Sequence, residues 1–139
     1  RQMCIRDSYN PGWVRYGAWD RESGYEQAGP LVDAGVSAIF CMADRMAGGV
    51  YDYLEEHGLR AGEDISVTGF DNQDLSEYIR PALTTMSLPL SEIGHKAAEM
   101  LLERIGGEEK EAEAADEKAA EIKIPCSIVL RNSVKRKQP

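Results

Sequence analysis

Hydrophobic and polar positions alternate between helix-like and strand-like patterning from Arg21 to Ile105. The run "RESGYEQAGPLVDA", Arg21 to Ala34, sets Tyr25, Ala28, Leu31 and Val32 on one helical face, with Gly35 as a C-terminal stop. Pro30 falls inside that helix and is expected to kink it, because proline supplies no N–H and crowds the preceding turn. The run "VSAIFCMAD" reads as a buried strand with Asp44 just past its apolar part, and a second helix follows over Met46 to His57, closed by Gly58. After the loop "LRAGED" comes a second strand, "ISVTGF", and Asp71 again stands just past the apolar run. Strand, helix and strand in this order form a βαβ unit with parallel strands and a right-handed crossover. Both aspartates then lie at one edge of the sheet, where open parallel sheets bind their ligands.

A third extended segment, "LTTMSLPL", precedes a helix from Ser91 to Ile105. Ser91 is its expected N-cap, and Ile93, Ala97, Leu101, Leu102 and Ile105 form one apolar stripe that needs a partner surface. Residues 108–121, "EEKEAEAADEKAAE", read as a solvated acidic insertion, and "IKIPCSIVLRNSV" as an extended pair interrupted by Pro125, followed by a basic tail over 134–139.

Composition narrows the function classes. A chain of 139 residues with 42% hydrophobic and 29% charged positions is sized for one globular domain. The net charge of −8 argues against holding nucleic acid directly, since that requires a basic face to neutralise phosphates. Cys4, Cys41 and Cys126 are odd in number and lack the spacing of a disulfide framework or a zinc site. With neither a membrane-length apolar run nor a signal-peptide pattern, the expected location is cytoplasmic, with no membrane partner. The octet "RQMCIRDS", residues 1–8, is similar to the translation of a sequencing-library adapter, so native sequence is expected to begin near Tyr9; an ordinary disordered tail is the alternative.

Catalytic signatures are missing: neither the phosphate-binding glycine motifs nor a nucleophile elbow nor a paired-histidine metal motif occurs, so neither an enzyme nor a cofactor nor a metal is expected. His57 and His95 read as structural or surface residues. Binding chemistry is better supplied. An aspartate accepts several hydrogen bonds, which suits a ligand with several hydroxyls, and Trp19 offers a flat face to stack on a sugar ring or a base. Each has a plainer alternative: Trp19 as a core or interface residue, Asp71 closing a turn with Asn72, and Asp44, where the plainer role is preferred, capping the following helix.

The blocks "GAWDRESGYEQ", "VSAIFCMADRMAGGVYDYLEEHGLRAGEDISVTGFDN", "YIRPALTTM" and "PLSEIGHKAAEMLLERI", in this order and spacing, resemble the effector-binding core of LacI/GalR (lactose/galactose repressor) family transcriptional regulators. The resemblance runs from about Gly17 to Ile105 and more loosely to Ser133. It implies an α/β fold, part of a type I periplasmic-binding-protein-like domain with a parallel sheet flanked by helices and its N-terminal subdomain largely missing. Residues 9–133 would be the C-terminal part of that domain. By the same resemblance Trp19 stacks on the effector, Asp71 hydrogen-bonds it, and Ala43, where many members carry asparagine, faces it with one polar contact fewer. A homodimer interface is implied at Gly48, Tyr51, Glu77, Tyr78 and Ile79. The implied function is effector sensing, with a carbohydrate as the favoured ligand, and dimerisation; operator DNA would be held only through an N-terminal helix-turn-helix that the chain lacks. A fragment of a periplasmic sugar-binding protein of a transporter is the alternative.

Overall fold

A computed structural model describes residues 10–106 and 121–135. The N-terminal octet, most of the acidic insertion and most of the basic tail lie outside the described residues. The elements are α1 (Arg21–Asp33), β1 (Ala38–Phe40), α2 (Asp44–Glu56), β2 (Ser66–Thr68), α3 (Leu75–Tyr78), β3 (Thr85–Ser87), α4 (Leu90–Gly106) and β4 (Ser127–Val129). A 3-10 turn, Pro11–Trp13, precedes them. Contacts divide the chain into two units, Arg1–Ser87 with Ile128–Pro139, and Leu88–Ser127.

In the first unit β1 and β2 run parallel, pairing Ala38 with Ser66, Ile39 with Val67 and Phe40 with Thr68. Parallel bridges from Thr68 to Thr84 and from Asp71 to Ser87 carry β2 over to β3, which pairs with β4. The expected βαβ order is therefore present, with the third segment added beside β2. One expectation needs correction: only Ile39 of β1 is buried, while Ala38 and Phe40 face outward, Phe40 with 58% of its surface exposed. The cause is layering: side chains alternate between the two faces of a strand, and only the face that carries Ile39 packs on the core.

The core of this unit is Ala28, Ile39, Cys41, Ala47, Val50, Leu54, Ala61, Ile65, Val67 and Leu83. Full burial of a side chain such as Leu54 or Leu83 stabilises the fold by about 1.5–3 kcal/mol. Helix α1 packs along α2 through glycines. A Cβ on Gly24 would overlap the Met46 carbonyl, and one on Gly49 the Arg21 carbonyl, so the two backbones touch. Outside this seam Arg21 holds Asp52 (Nη2–Oδ1 2.6 Å), and the Tyr25 hydroxyl donates to Glu56 (2.5 Å). Helix α1 runs through Pro30 and ends three residues later at Asp33, so the proline stands in the last turn rather than dividing the helix.

The second unit contains α4, which begins at Leu90, so Ser91 lies inside the helix instead of capping it. Its stripe is exposed: Ile93, Leu101, Leu102 and Ile105, with Leu90 beside them.

Candidate functional site

The carboxyl ends of β1 and β2 and the first turns of α1 and α2 meet at one end of the first unit. The Cys41 amide donates to the Thr68 carbonyl and the Asp44 amide to the Phe70 carbonyl (2.8 and 2.9 Å), tying the exit of β1 to the exit of β2. The contact of Gly24 with Met46 brings the start of α1 to the start of α2. Trp19, Ala43, Asp44 and Asp71 all lie on the connections at this end.

Asp44 is not a helix cap. Ala43 occupies the cap position, without a side-chain bond to the helix, and Asp44 is the first helical residue, fully buried. Its carboxylate points across the sheet edge: Oδ2 accepts from the Gln73 amide (2.7 Å) and Oδ1 from the Thr85 hydroxyl (2.6 Å). Space for it comes from Gly69, where a Cβ would overlap Oδ1. Burial raises the Asp44 pKa, outweighing the two hydrogen bonds that pull it down; the nearby Asp71 charge adds to the rise and Arg131 opposes it. The brace ties α2, the loop after β2 and β3 into one frame.

Asp71 stands on that frame, half-buried and with left-handed backbone (φ 103°), as has Asn72 after it (φ 53°). Its amide donates to the Met86 carbonyl (2.9 Å) and its Oδ2 accepts from the Gln73 side chain (3.3 Å). An ionised carboxylate accepts about four hydrogen bonds, so Asp71 retains acceptor capacity for a ligand. Instead of closing a turn with Asn72, Asp71 forms a parallel bridge with Ser87.

Trp19 also has left-handed backbone (φ 66°), directly before Asp20, the N-cap of α1. The Ala18 amide donates to the Ser23 hydroxyl (2.9 Å) and the Ser23 amide to the Asp20 carboxylate (2.8 Å), so both neighbours of Trp19 are pinned to one residue. The indole is 62% exposed, which excludes a core role in this chain. Non-glycine residues persist in this conformation only where the surroundings hold them, and they cluster at ligand clamps. Ala43 is buried with 4% exposed, and no described hydrogen bond joins Trp19 to Asp71.

Of the residues implied in subunit contact, Tyr78 is exposed, Tyr51 and Ile79 are half-buried, and Gly48 is buried against Leu75 of α3. Gly48, Tyr51 and Ile79 line one groove with Arg80 and Pro81. Within the chain the Tyr51 hydroxyl donates to the Pro81 carbonyl (2.9 Å), and burial pushes its pKa up to about 12.

Sequence reasoning missed four contributors to this frame: Gln73, Thr85, Arg131 and Ser133. The Ser133 hydroxyl donates to the Val67 carbonyl (2.6 Å) and accepts from the Thr84 amide (2.8 Å), stitching β2 to the start of β3. The one available signal was hydroxyl and guanidinium groups inside otherwise apolar runs, "LTTM" and "SIVLRNSV". Among the described residues no group of three or more histidine, cysteine or acidic side chains could hold a metal ion, and no helix is long and apolar enough to cross a membrane.

A parallel sheet with acceptor and aromatic side chains at its carboxyl edge, backed by a buried polar brace, is the architecture of an α/β small-molecule-binding domain. The chain belongs to the periplasmic binding protein-like domain family, whose pattern matches residues 3–134, and it is part of an effector-binding domain of the LacI/GalR type. The HTH-type transcriptional repressor PurR of Pasteurella multocida is 38% identical over 128 residues, covering 91% of this chain and 36% of the repressor. A LacI family transcriptional regulator from Enterococcus faecium, solved with bound ribose, is 36% identical with a TM-score of 0.71, over 86% of this chain and 42% of that one. The transcriptional regulator CelR in complex with cellobiose is 26% identical with a TM-score of 0.80, over 94% of this chain and 38% of that one. The chain thus spans about a third of the length of the curated relatives it matches. Those relatives are repressors, which favours the regulator over the transporter alternative.

Proposed function

We propose that the chain is the effector-sensing and dimerisation portion of a cytoplasmic DNA-binding transcriptional regulator. It acts by binding rather than by catalysis. The effector is a carbohydrate: Trp19 stacks on its C–H face, Asp71 accepts from its hydroxyls, and Ala43 marks a wall of the site without a polar contact. The observation that carries this is Asp71, left-handed and half-buried at the end of β2 on a frame braced by Asp44. The ribose and cellobiose held by the two structural neighbours support a sugar over other polyhydroxy ligands.

Tyr51, Glu77, Tyr78 and Ile79 form the homodimer surface, with the buried Gly48 beneath it. Ligand binding favours one placement of the effector-binding subdomains, and the dimer passes that preference to operator-reading helices supplied by the rest of the polypeptide. The test is a thermal-shift panel of pentoses, hexoses and disaccharides on the chain fused to the complementary part of an effector-binding domain. At least one sugar is expected to raise the melting temperature, and Trp19→Ala and Asp71→Ala to lose that shift. Variants that respond like the parent overturn the assigned pocket.

A further inference from the structure

We propose that Arg131 is the positioning residue that links the effector loop to the dimer surface, so that a change at either is felt at the other. This rests on the roles given above to Asp71 and to Glu77, Tyr78 and Ile79. Arg131 lies two residues past the end of β4, and its side chain is only 14% exposed, whereas Glu77 is 65% exposed. Its backbone amide donates to the Thr84 hydroxyl (2.9 Å), which fixes the root of the side chain to the start of β3.

The guanidinium then divides its contacts. Nη1 donates to the Leu83 carbonyl (2.8 Å) and to the Ser76 hydroxyl (3.1 Å), anchoring the group on buried structure. Nη2 donates to Asn72 Oδ1 (2.9 Å) and to Glu77 Oε1 (3.1 Å). Asn72 is the neighbour of Asp71 and Glu77 that of Tyr78, so one nitrogen grips both the loop proposed to hold the effector and the segment proposed to meet a second subunit. Arginine's planar fork keeps these donors at fixed angles to each other, whereas a lysine ammonium carries no such fork. With Glu77 open to solvent, the Arg131–Glu77 pair contributes little stability by itself, so its consequence lies in geometry. A ligand that draws Asp71 and Asn72 aside changes what Nη2 offers to Glu77, and this constitutes coupling through a shared group.

The test uses the complete chain and site-resolved amide hydrogen exchange, with Asn72→Ala, Glu77→Gln, Arg131→Lys and both double variants with Arg131→Lys. With Arg131 present, Glu77→Gln, which removes the charge from one partner of Nη2, is expected to speed exchange at Asp71–Gln73, and Asn72→Ala, which removes the other acceptor, at Glu77–Ile79, each by about threefold. In the Arg131→Lys background both cross-effects should vanish while α2 stays protected. Cross-effects that persist with lysine, or that never occur in the parent, overturn the proposal, as does uniform loss of protection. Far-ultraviolet circular dichroism checks that each variant is folded. Sedimentation of the parent chain tests the dimer reading separately: a monomer at all concentrations refutes the subunit contact, and the exchange data still decide whether Arg131 links the two segments.

Discussion

Asp44 is fully buried, yet each of its oxygens receives a hydrogen bond, from Gln73 and from Thr85. The cost of burying the carboxylate still exceeds what the donors return, so its pKa in the folded chain is raised. A group bound more tightly to its proton when folded contributes stability that is complete below the unfolded pKa and is lost as pH rises through the folded one. The window therefore opens near the ordinary value of 3.8 and extends upward to the raised value. Urea unfolding across that window should show the parent losing stability with rising pH relative to Asp44→Asn, which cannot ionise; parallel curves for the two proteins would sink the idea. Gly69 belongs to the same unit, since any side chain there meets Asp44 Oδ1 or Leu83. Trp19 and Asp71 hold left-handed backbone angles, Trp19 exposed and Asp71 half-buried.

At the scale of elements, the α1–α2 seam depends on the absence of side chains. Gly49→Ala adds helix propensity of about 1 kcal/mol, but the new Cβ overlaps the Arg21 carbonyl, and overpacking of a close seam costs about 1–3 kcal/mol. The net effect expected is destabilisation, read as a lower denaturation midpoint. Gly94→Ala in α4 is the control, because nothing lies within 4 Å of its Cβ; there the propensity gain stands alone and the midpoint should rise. If both substitutions raise the midpoint, the seam is not close-packed. This contrast also shows which features could be read from sequence. Tyr25, Ala28 and Leu31 announce α1 by their spacing, and Asp71 announces a sheet edge by following an apolar run. Gly24 and Gly49 look like weak points in two helices until their partners are known, because helix packing is a long-range property that no local period encodes. Asp44 reads as a cap for the same reason: its donors stand 29 and 41 residues away. Arg131, 59 residues from Asn72, is equally hidden, and an apolar run such as β1 does not tell which of its faces another layer will cover.

Among the described residues, α4 carries an exposed apolar face. Leu90, Leu101, Leu102 and Ile105 on α4 are each more than half exposed, Ile105 at 71%, and they recur at the spacing of a single helical face. The relatives it matches are almost three times longer, so an effector-binding domain of this family has further chain with which such a face can be covered. Among the described residues the stripe is exposed, and a contiguous apolar face of this kind drives association. Sedimentation velocity of the 139-residue chain should therefore show concentration-dependent self-association together with binding of a hydrophobic dye. Leu101→Gln with Leu102→Gln should reduce both, because each exposed leucine removed from an interface forfeits about 1.5–3 kcal/mol of burial. Tyr78→Ala, on the proposed dimer surface, distinguishes two routes to the same sedimentation result: it should weaken a dimer formed through α3 and leave dye binding at α4 unchanged. A clean monomer with low dye binding would show that the stripe does not drive association, whereas an oligomer insensitive to the leucine pair but broken by Tyr78→Ala would assign association to the family interface alone.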